Sequence, residues 1–489
     1  MRWVDVKEGI KGFLGEFRRE KTGIAGVILL ALLVIVALTA PYTTMSDLPE
    51  KWKSSAYWED NPKNVPPTWY NMFTSQKLVP QQVYYMDNLK ISHPSDTETV
   101  IEADYTFPER YYLGPQGIII RNINVTINQM WQTPTYSVYL RRPDGRTVVL
   151  VKDKPLTSST TIAVGRDATI SANIYAWLVN VTEGKELDPF QAQMDPIVIM
   201  NINTLVSTAF AKVEPGMNAE SIINNPEPLP GNYKLVLTIK NPAPDQNKVN
   251  LTGIKITFLG RSYGRMGTDY LGRDLWSGII WGSRVSLTIG ILVSVLSTII
   301  GLIYGVTSAY LGGHVDEVMM RINEIFASIP SLPILILISA TAGHVTLMFI
   351  VFLLVLFGWM GIARIARSMA LQIKEQTYIE AARALGAGNG RVILKHILPQ
   401  LLPYAFAVIA LSVPGAVISE ASLSFLGLGD PTAVTWGQIL HDAQARAATI
   451  KGYWWWVLPP GLAIALVGLT FVLIGTALDK ILNPRLRRL

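Results

Sequence analysis

The chain has 489 residues, 49% of them hydrophobic and only 16% charged, with a net charge of +6. With a positive mean hydropathy, that composition points to a membrane protein with room for a second, non-membrane domain. The absence of cysteine excludes disulfides and thiolate metal sites, the five histidines are scattered, and lysine and arginine sit beside apolar runs, so neither a metal nor nucleic acid is expected.

Trp3, Val6, Ile10, Phe13, Leu14 and Phe17 recur at helical spacing, which predicts an interfacial helix lying on the inner leaflet. The first apolar run, residues 24–40, follows Lys7, Lys11, Arg18, Arg19 and Lys21, and this basic flank predicts a cytoplasmic N-terminus. A cleaved signal peptide is the rival reading; it is weakened by a poor cleavage pattern around 37–40 and a long basic leader.

Residues 42–260 contain no long apolar run and would lie outside the cell, because span one leaves the cytoplasm. Residues 117–127, 136–140, 147–151 and 233–239 alternate apolar with polar or are rich in β-branched residues, which predicts strands. Arg-Pro-Asp-Gly at 142–145 is a turn: proline presets one dihedral and glycine accepts a positive one. A β-sandwich over about 97–259 is expected, with 42–95 irregular. Asn124, Asn180 and Asn250 each begin an Asn-x-Thr sequon in this outer region and are candidate glycosylation sites.

Five further apolar runs follow at 287–309, 325–343, 345–363, 401–418 and 454–477, each close to the roughly 20 residues that cross a bilayer. A tight turn near Gly343-His344 separates the third and fourth spans. Arg364, Arg367, Lys374, Arg383, Arg391 and Lys395 follow span four, and Lys480, Arg485, Arg487 and Arg488 close the chain, so both termini are expected inside. The expected fold is an all-α bundle of six transmembrane helices with a large extracellular β-sandwich-like insertion between helices 1 and 2. Its parts are 1–41, the interfacial helix and span one; 42–260, the insertion; and 261–489, the remaining five spans with a cytoplasmic loop at 375–400.

Conventional catalytic chemistry is missing. No Gly-x-x-x-x-Gly-Lys-Ser/Thr loop, Gly-x-Ser-x-Gly elbow or His-Glu-x-x-His occurs, and the central portions of the runs contain no Asp, Glu, Lys or Arg. Ion-coupled carriers need such groups at depth, so energy for uphill transport would have to come from elsewhere. Catalytic and metal-binding residues are therefore not expected.

The loop offers the most information. Residues 375–385 favour helix, and Ala381, Ala382 and Ala384 allow close approach of a partner. Gly386 and Gly388 can supply a left-handed helix end, Asn389 can cap a second helix carrying Arg391 and Lys395 on one face, and Pro399 marks entry to span five. Composition alone leaves this reading level with a basic loop on lipid headgroups.

Glu-Ala-Ala at 380–382, Gly386 and Leu398-Pro399 together resemble the signature of permease subunits of binding-protein-dependent ABC importers. Gly-Thr-Asp-Tyr-Leu-Gly-Arg-Asp at 267–274, Gly-Ser-Arg-Val-Ser-Leu at 282–287 and Ala-Tyr-Leu-Gly-Gly at 309–313 resemble the dipeptide/oligopeptide/nickel branch, C-type subunit. So do Asp316, Met320-Arg321, Leu-Ser-Phe-Leu-Gly-Leu-Gly at 423–429, Trp436-Gly437 and Asn483-Pro-Arg485. The likeness covers 264–489 closely and 1–40 loosely, and says nothing of 42–259. Three positions depart from the pattern: His396 replaces an isoleucine, Asn483 replaces an aspartate, and 475–479 is looser than the family's Gly-Asp-x-Leu-Arg-Asp.

The resemblance implies the type I permease fold and a cell-membrane complex. Its other members would be a homologous second permease, two cytoplasmic ABC ATPases and an extracellular solute-binding protein. ATP and Mg would bind the ATPases, and this chain would bind no cofactor and contact membrane lipid. Glu380, Ala381, Ala382, Gly386, Arg391, Leu398 and Pro399 would couple ATPase closure to the spans, with Glu380 pairing to a basic group such as Arg383. Asp316, Arg321 and Glu324 are expected at the cytoplasmic entry of span three, as a local ion-pair anchor or as substrate contacts. Glu420 and Ser424 are candidates for the translocation path or outer mouth, or for the interface with the sister subunit. The insertion would dock the binding protein or simply stiffen the complex. Peptides are the default cargo, with oligosaccharide or nickel as alternatives; a ligand receptor and an ATP-independent channel are the rival classes.

Overall fold

The computed structural model of the protein describes residues 17–128, 132–343 and 345–482. The interfacial helix expected before Phe17, His344 and the terminal Asn483-Pro-Arg485 with its basic tail lie outside the described residues. Contacts group the chain into two units, Met1–Ser54 with Leu275–Leu489, and Ser55–Asp274. The first unit opens with α1 (Lys21–Thr43) and the short α2 (Leu48–Lys53).

In the second unit, strands β1 (Gln82–Tyr85), β2 (Lys90–Ser95), β3 (Glu98–Phe107), β4 (Gly117–Thr126), β5 (Thr135–Arg141), β6 (Thr147–Pro155) and β7 (Ser159–Val164) come first. A helical excursion follows: α3 (Ala168–Glu183), α4 (Pro189–Gln193), α5 (Pro196–Asn201), α6 (Leu205–Thr208) and α7 (Ala219–Asn224). Strands β8 (Gly231–Lys240), β9 (Lys248–Asn250) and β10 (Lys255–Leu259) then complete two antiparallel sheets, β1-β10-β4-β7 with β9 on β4, and β2-β3-β8-β5-β6.

The sheets pack face to face through alternating side chains, including Ile101, Ala103 and Tyr105 of β3 and Leu235, Leu237 and Ile239 of β8. Tyr105 of one sheet stacks on Phe258 of the other at 4.3 Å between ring centroids. In β4 the inward set switches from Ile118 and Ile120 to Ile123 and Val125. Asn122 causes the switch: its φ of 64° interrupts the ladder between Ile120 and Ile123. All four strands read from sequence are present, and so is the turn at 142–145, with Gly145 at φ 79°.

Two expectations for the insertion need correction. Residues 42–95 are not uniformly irregular, since they contain β1 and β2. Nor is 97–259 strand throughout, because α3–α7 form a second apolar cluster of their own around Leu178, Val198, Leu205 and Ile223. The helices have local causes. Asp167 caps α3 through Thr169 N at 2.8 Å and Gly184 closes it at φ 65°, while Asp188-Pro189 and Asp195-Pro196 start α4 and α5.

The first unit resumes with α8 (Leu275–Leu311), α9 (Gly313–Ser328), α10 (Ser331–Thr341), α11 (Leu347–Gly358) and α12 (Met360–Lys374). After these come α13 (Thr377–Ala384), α14 (Asn389–Val392), a π-helical turn (Ile393–Ile397), α15 (Leu398–Phe425), α16 (Trp436–Ala445) and α17 (Trp454–Leu482). Among the described residues, four helices are long and apolar enough to cross a membrane, or up to six if each of two bent pairs is one span.

The expected spans three and four are those bent pairs. Helices α9 and α10 meet at 75°, where Ile329 adopts an extended conformation (ψ 124°) ahead of Pro330, as a residue before proline favours. Helices α11 and α12 meet at 41°. The expected second span is likewise the inner part of a much longer helix, α8. Tight packing of α8 on α12 depends on Gly305, where a Cβ would lie 2.2 Å from the Ala363 carbonyl oxygen.

Candidate functional site

Helix α13 ends in a Schellman turn. Gly386 sits at φ 84°, its N–H donates to Arg383 O at 2.9 Å, and Ala387 N donates to Ala382 O at 3.0 Å. Gly388, at φ −69°, is the N-cap of α14 and Asn389 its first helical residue, so the expected capping role of Asn389 is not observed. The π turn follows from Pro399. With no N–H and a ring that crowds the carbonyl four residues earlier, proline widens the preceding turn, and Leu398 N reaches back five residues to Ile393 O.

Buried Ile379, Val392 and Ile397 anchor the segment in a cluster with Val306, Ala309, Tyr310, Ala366 and Ala370. The opposite side is open: Glu380, Ala381, Gly386 and Arg391 are exposed, Ala382, Leu398 and Pro399 half-buried, and Leu385 at the turn is 89% exposed.

Tyr310, at the end of α8, joins the two helices of this segment. The Arg383 guanidinium lies 4.6 Å from its ring centroid, and Arg383 Nε donates to its hydroxyl at 3.2 Å. The same hydroxyl donates to Asn389 Oδ1 at 3.4 Å. Lys374 Nζ donates to Ala309 O at 3.0 Å just before it. The expected Glu380–Arg383 pair is therefore absent: Arg383 is committed to Tyr310, and Glu380 forms no ion pair among the described residues. Tyr310 lay in a motif noted in the sequence, but its role was missed, because nothing in the sequence pairs positions 310 and 383.

Asp316 on α9 does not form the local cluster expected with Arg321 and Glu324. It accepts a bidentate bond from Arg367 of α12 at 2.6 and 2.5 Å, and a further bond from Ser308. Arg321 and Glu324 form their own exposed pair at 3.1 Å.

Glu420, expected past the end of span five, lies inside α15 and is fully buried. It accepts from Ser424 Oγ at 2.8 Å, and Ser424 packs against Gly429 and Gly437 of the following segment. Glu420 thus lies in the last turns of the helix rather than past its end, outside the central portion of the 401–418 run.

Thr268 and Asp269 of the 267–274 motif are buried, with Asp269 accepting from Leu271 N and Arg273 N, each at 2.9 Å, and pairing with Arg273. Asn124, Asn180 and Asn250 are all exposed, and Asn124 and Asn250 are directly opposed on β4 and β9. No group of metal-ligating side chains occurs among the described residues.

The long apolar helices and the two bent pairs are those of a multi-pass membrane protein. Residues 297–488 match the family described as the binding-protein-dependent transport system inner membrane component. The dipeptide transport system permease protein DppC of Bacillus subtilis (strain 168) is 37% identical over 223 residues, 45% of this chain and 69% of that protein. The oligopeptide transport system permease protein OppC of the same bacterium is 37% identical over 223 residues, covering 45% and 72%. OppC of Haemophilus influenzae is 37% identical over 225 residues, covering 46% and 71%. A chain of the inward-facing MetNI methionine ABC transporter aligns at 22% identity with a TM-score of 0.35, over 42% of this chain and 95% of that one. The chain belongs to this family of transport-system permeases.

Proposed function

We propose that this chain forms half of a translocation pore for di- or oligopeptides and is driven through residues 380–399 by two cytoplasmic ATPases. The observation that carries the reading is the open side of the α13–turn–α14 segment. It presents small side chains and the exposed Leu385, while its other side is sealed into the helix core. A short hydrogen-bonded helix is stiff enough to transmit displacement, and alanine lets a partner approach the backbone closely. In this reading a homologous second permease supplies the other half of the pore. An extracellular binding protein delivers the peptide, both termini are cytoplasmic, and the Ser55–Asp274 unit lies on the outer face. Each bent helix pair counts as one span, giving six.

Gly386→Asp tests the reading. It places a side chain at a positive φ, at a cost of about 1 kcal/mol, and a charge at the exposed turn. The expected result is an assembled complex that hydrolyses ATP at its basal rate but no longer takes up peptide when the loaded binding protein is added. Normal uptake by that variant would refute the coupling role.

A further inference from the structure

Helices α8, α10, α11 and α15 line an open cavity of about 300 Å³ within the helical unit. Its floor carries Ser294 and Ser297 of α8, 1% and 3% exposed, whose hydroxyls have no hydrogen-bond partner among the described residues. Ser286, outside the cavity lining, is the other buried hydroxyl of this helix without a partner among the described residues. Thr288 and Thr298 return their hydroxyls to the Arg284 and Ser294 carbonyls, each at 2.7 Å. A buried hydroxyl left unpaired is costly, so two of them facing one cavity mark a place meant to hold polar atoms. Ser412 and Ser419 of α15 line the wall half-buried, and exposed Ser331 and Gly415 form the mouth. The rest of the lining is apolar, and it includes no Asp, Glu, Lys, Arg or His.

We propose that this cavity is a solute-handling pocket of the subunit, shaped for an uncharged, amide-rich segment such as a peptide backbone. Each hydroxyl both donates and accepts, so it can pair with an N–H or a C=O alike. Without fixed charge, the pocket takes the backbone and ignores the charge of the side chains. Its volume is at the small end of ligand pockets, roughly 300–1,000 Å³, which suits a passing segment rather than a whole long peptide. The inference rests on the pore reading above and adds where, in this chain, the solute is met.

The chain has no native cysteine, so Ser294→Cys, Ser297→Cys and Ser412→Cys each introduce a single near-isosteric thiol. The assembled transporter would be treated with a charged, membrane-impermeant methanethiosulfonate and, separately, with lipid-soluble N-ethylmaleimide. Modification would be read on this chain by mass spectrometry. The charged reagent is expected to reach the thiols at 297 and 412, at rates that change about tenfold or more between nucleotide-free and ATP-trapped states, as a gated path requires. Gly415→Phe, where an added Cβ meets nothing within 4 Å, should plug the mouth and abolish uptake of a peptide digest while basal ATP hydrolysis persists. Labelling by the lipid-soluble reagent alone would overturn the proposal in favour of a lipid-facing groove. Labelling by the charged reagent at a rate indifferent to nucleotide, with normal uptake by Gly415→Phe, would overturn it in favour of a static water-filled void. ATP-independent uptake by the unsubstituted complex would instead refute the importer reading.

Discussion

Tyr310→Phe is the most discriminating perturbation of the proposed coupling segment, because it keeps the buried ring and removes only the hydroxyl that links Arg383 to Asn389. The two bonds lost are long, 3.2 and 3.4 Å, and together are worth about 0.5–1.5 kcal/mol. If they hold the two helices in the arrangement that passes force to α8, the variant should lose about two- to tenfold in peptide transported per ATP hydrolysed. Tyr310→Ala goes further. It also removes the cation–π contact, about 0.5–2 kcal/mol, and a ring only 6% exposed, whose loss costs about 3–5 kcal/mol. It should therefore weaken assembly as well as coupling. The assay is the transport-to-hydrolysis ratio in proteoliposomes containing the complete complex, with basal ATPase activity as the measure of assembly. An unchanged ratio in Tyr310→Phe, together with an assembled, fully coupled Tyr310→Ala, would refute the idea that Tyr310 links the segment to α8.

Three further outcomes can be checked. Asp316→Asn removes the bidentate bond to Arg367; it should lower the thermal stability of the helical unit by about 1–3 kcal/mol, and a double-mutant cycle with Arg367→Gln should show the two losses to be strongly non-additive. Arg142→Ala withdraws a fully buried guanidinium that bonds Ala209 O at 2.6 Å, Ala211 O at 2.8 Å and Asp144 at 3.0 Å; it should loosen the helical excursion by about 2–4 kcal/mol, read as faster hydrogen exchange over 205–213. Burial pushes the Asp144 carboxyl up, but bonds from Arg142 and Arg146 outweigh it and hold the group below the usual carboxylate range. Its contribution is thus complete above about pH 4 and is lost as pH falls through the lowered value, so protease resistance of 205–213 should drop under acid more in the native chain than in Asp144→Asn.

How much of this was legible beforehand depended on how far apart in the chain the deciding groups lie. Strand alternation and apolar runs are local, so β4, β5, β6 and β8 and the long helices could be read directly from residue order. So could the Gly386 turn, because the left-handed end of a short helix depends on one glycine. The α3–α5 excursion was equally readable, through the Asp167 cap, Gly184 and two Asp-Pro pairs, but the surrounding β pattern overrode those signals. Pro330 likewise announced the 75° break that splits the third apolar run. What no local rule could supply was partner choice. Arg383 has an acidic neighbour one turn away, yet it turns to Tyr310, 73 positions back, because a buried aromatic face and hydroxyl hold a guanidinium better than an exposed carboxylate does. Asp316 passes over nearby Arg321 for Arg367 for the same reason: the close packing of α8, α9 and α12 brings a planar fork onto a carboxylate largely shielded from water. In both cases the exposed local pair predicted from spacing gave way to a partly buried distant one. The residues that join the coupling segment to the helices it would move are thus those that only tertiary packing could reveal.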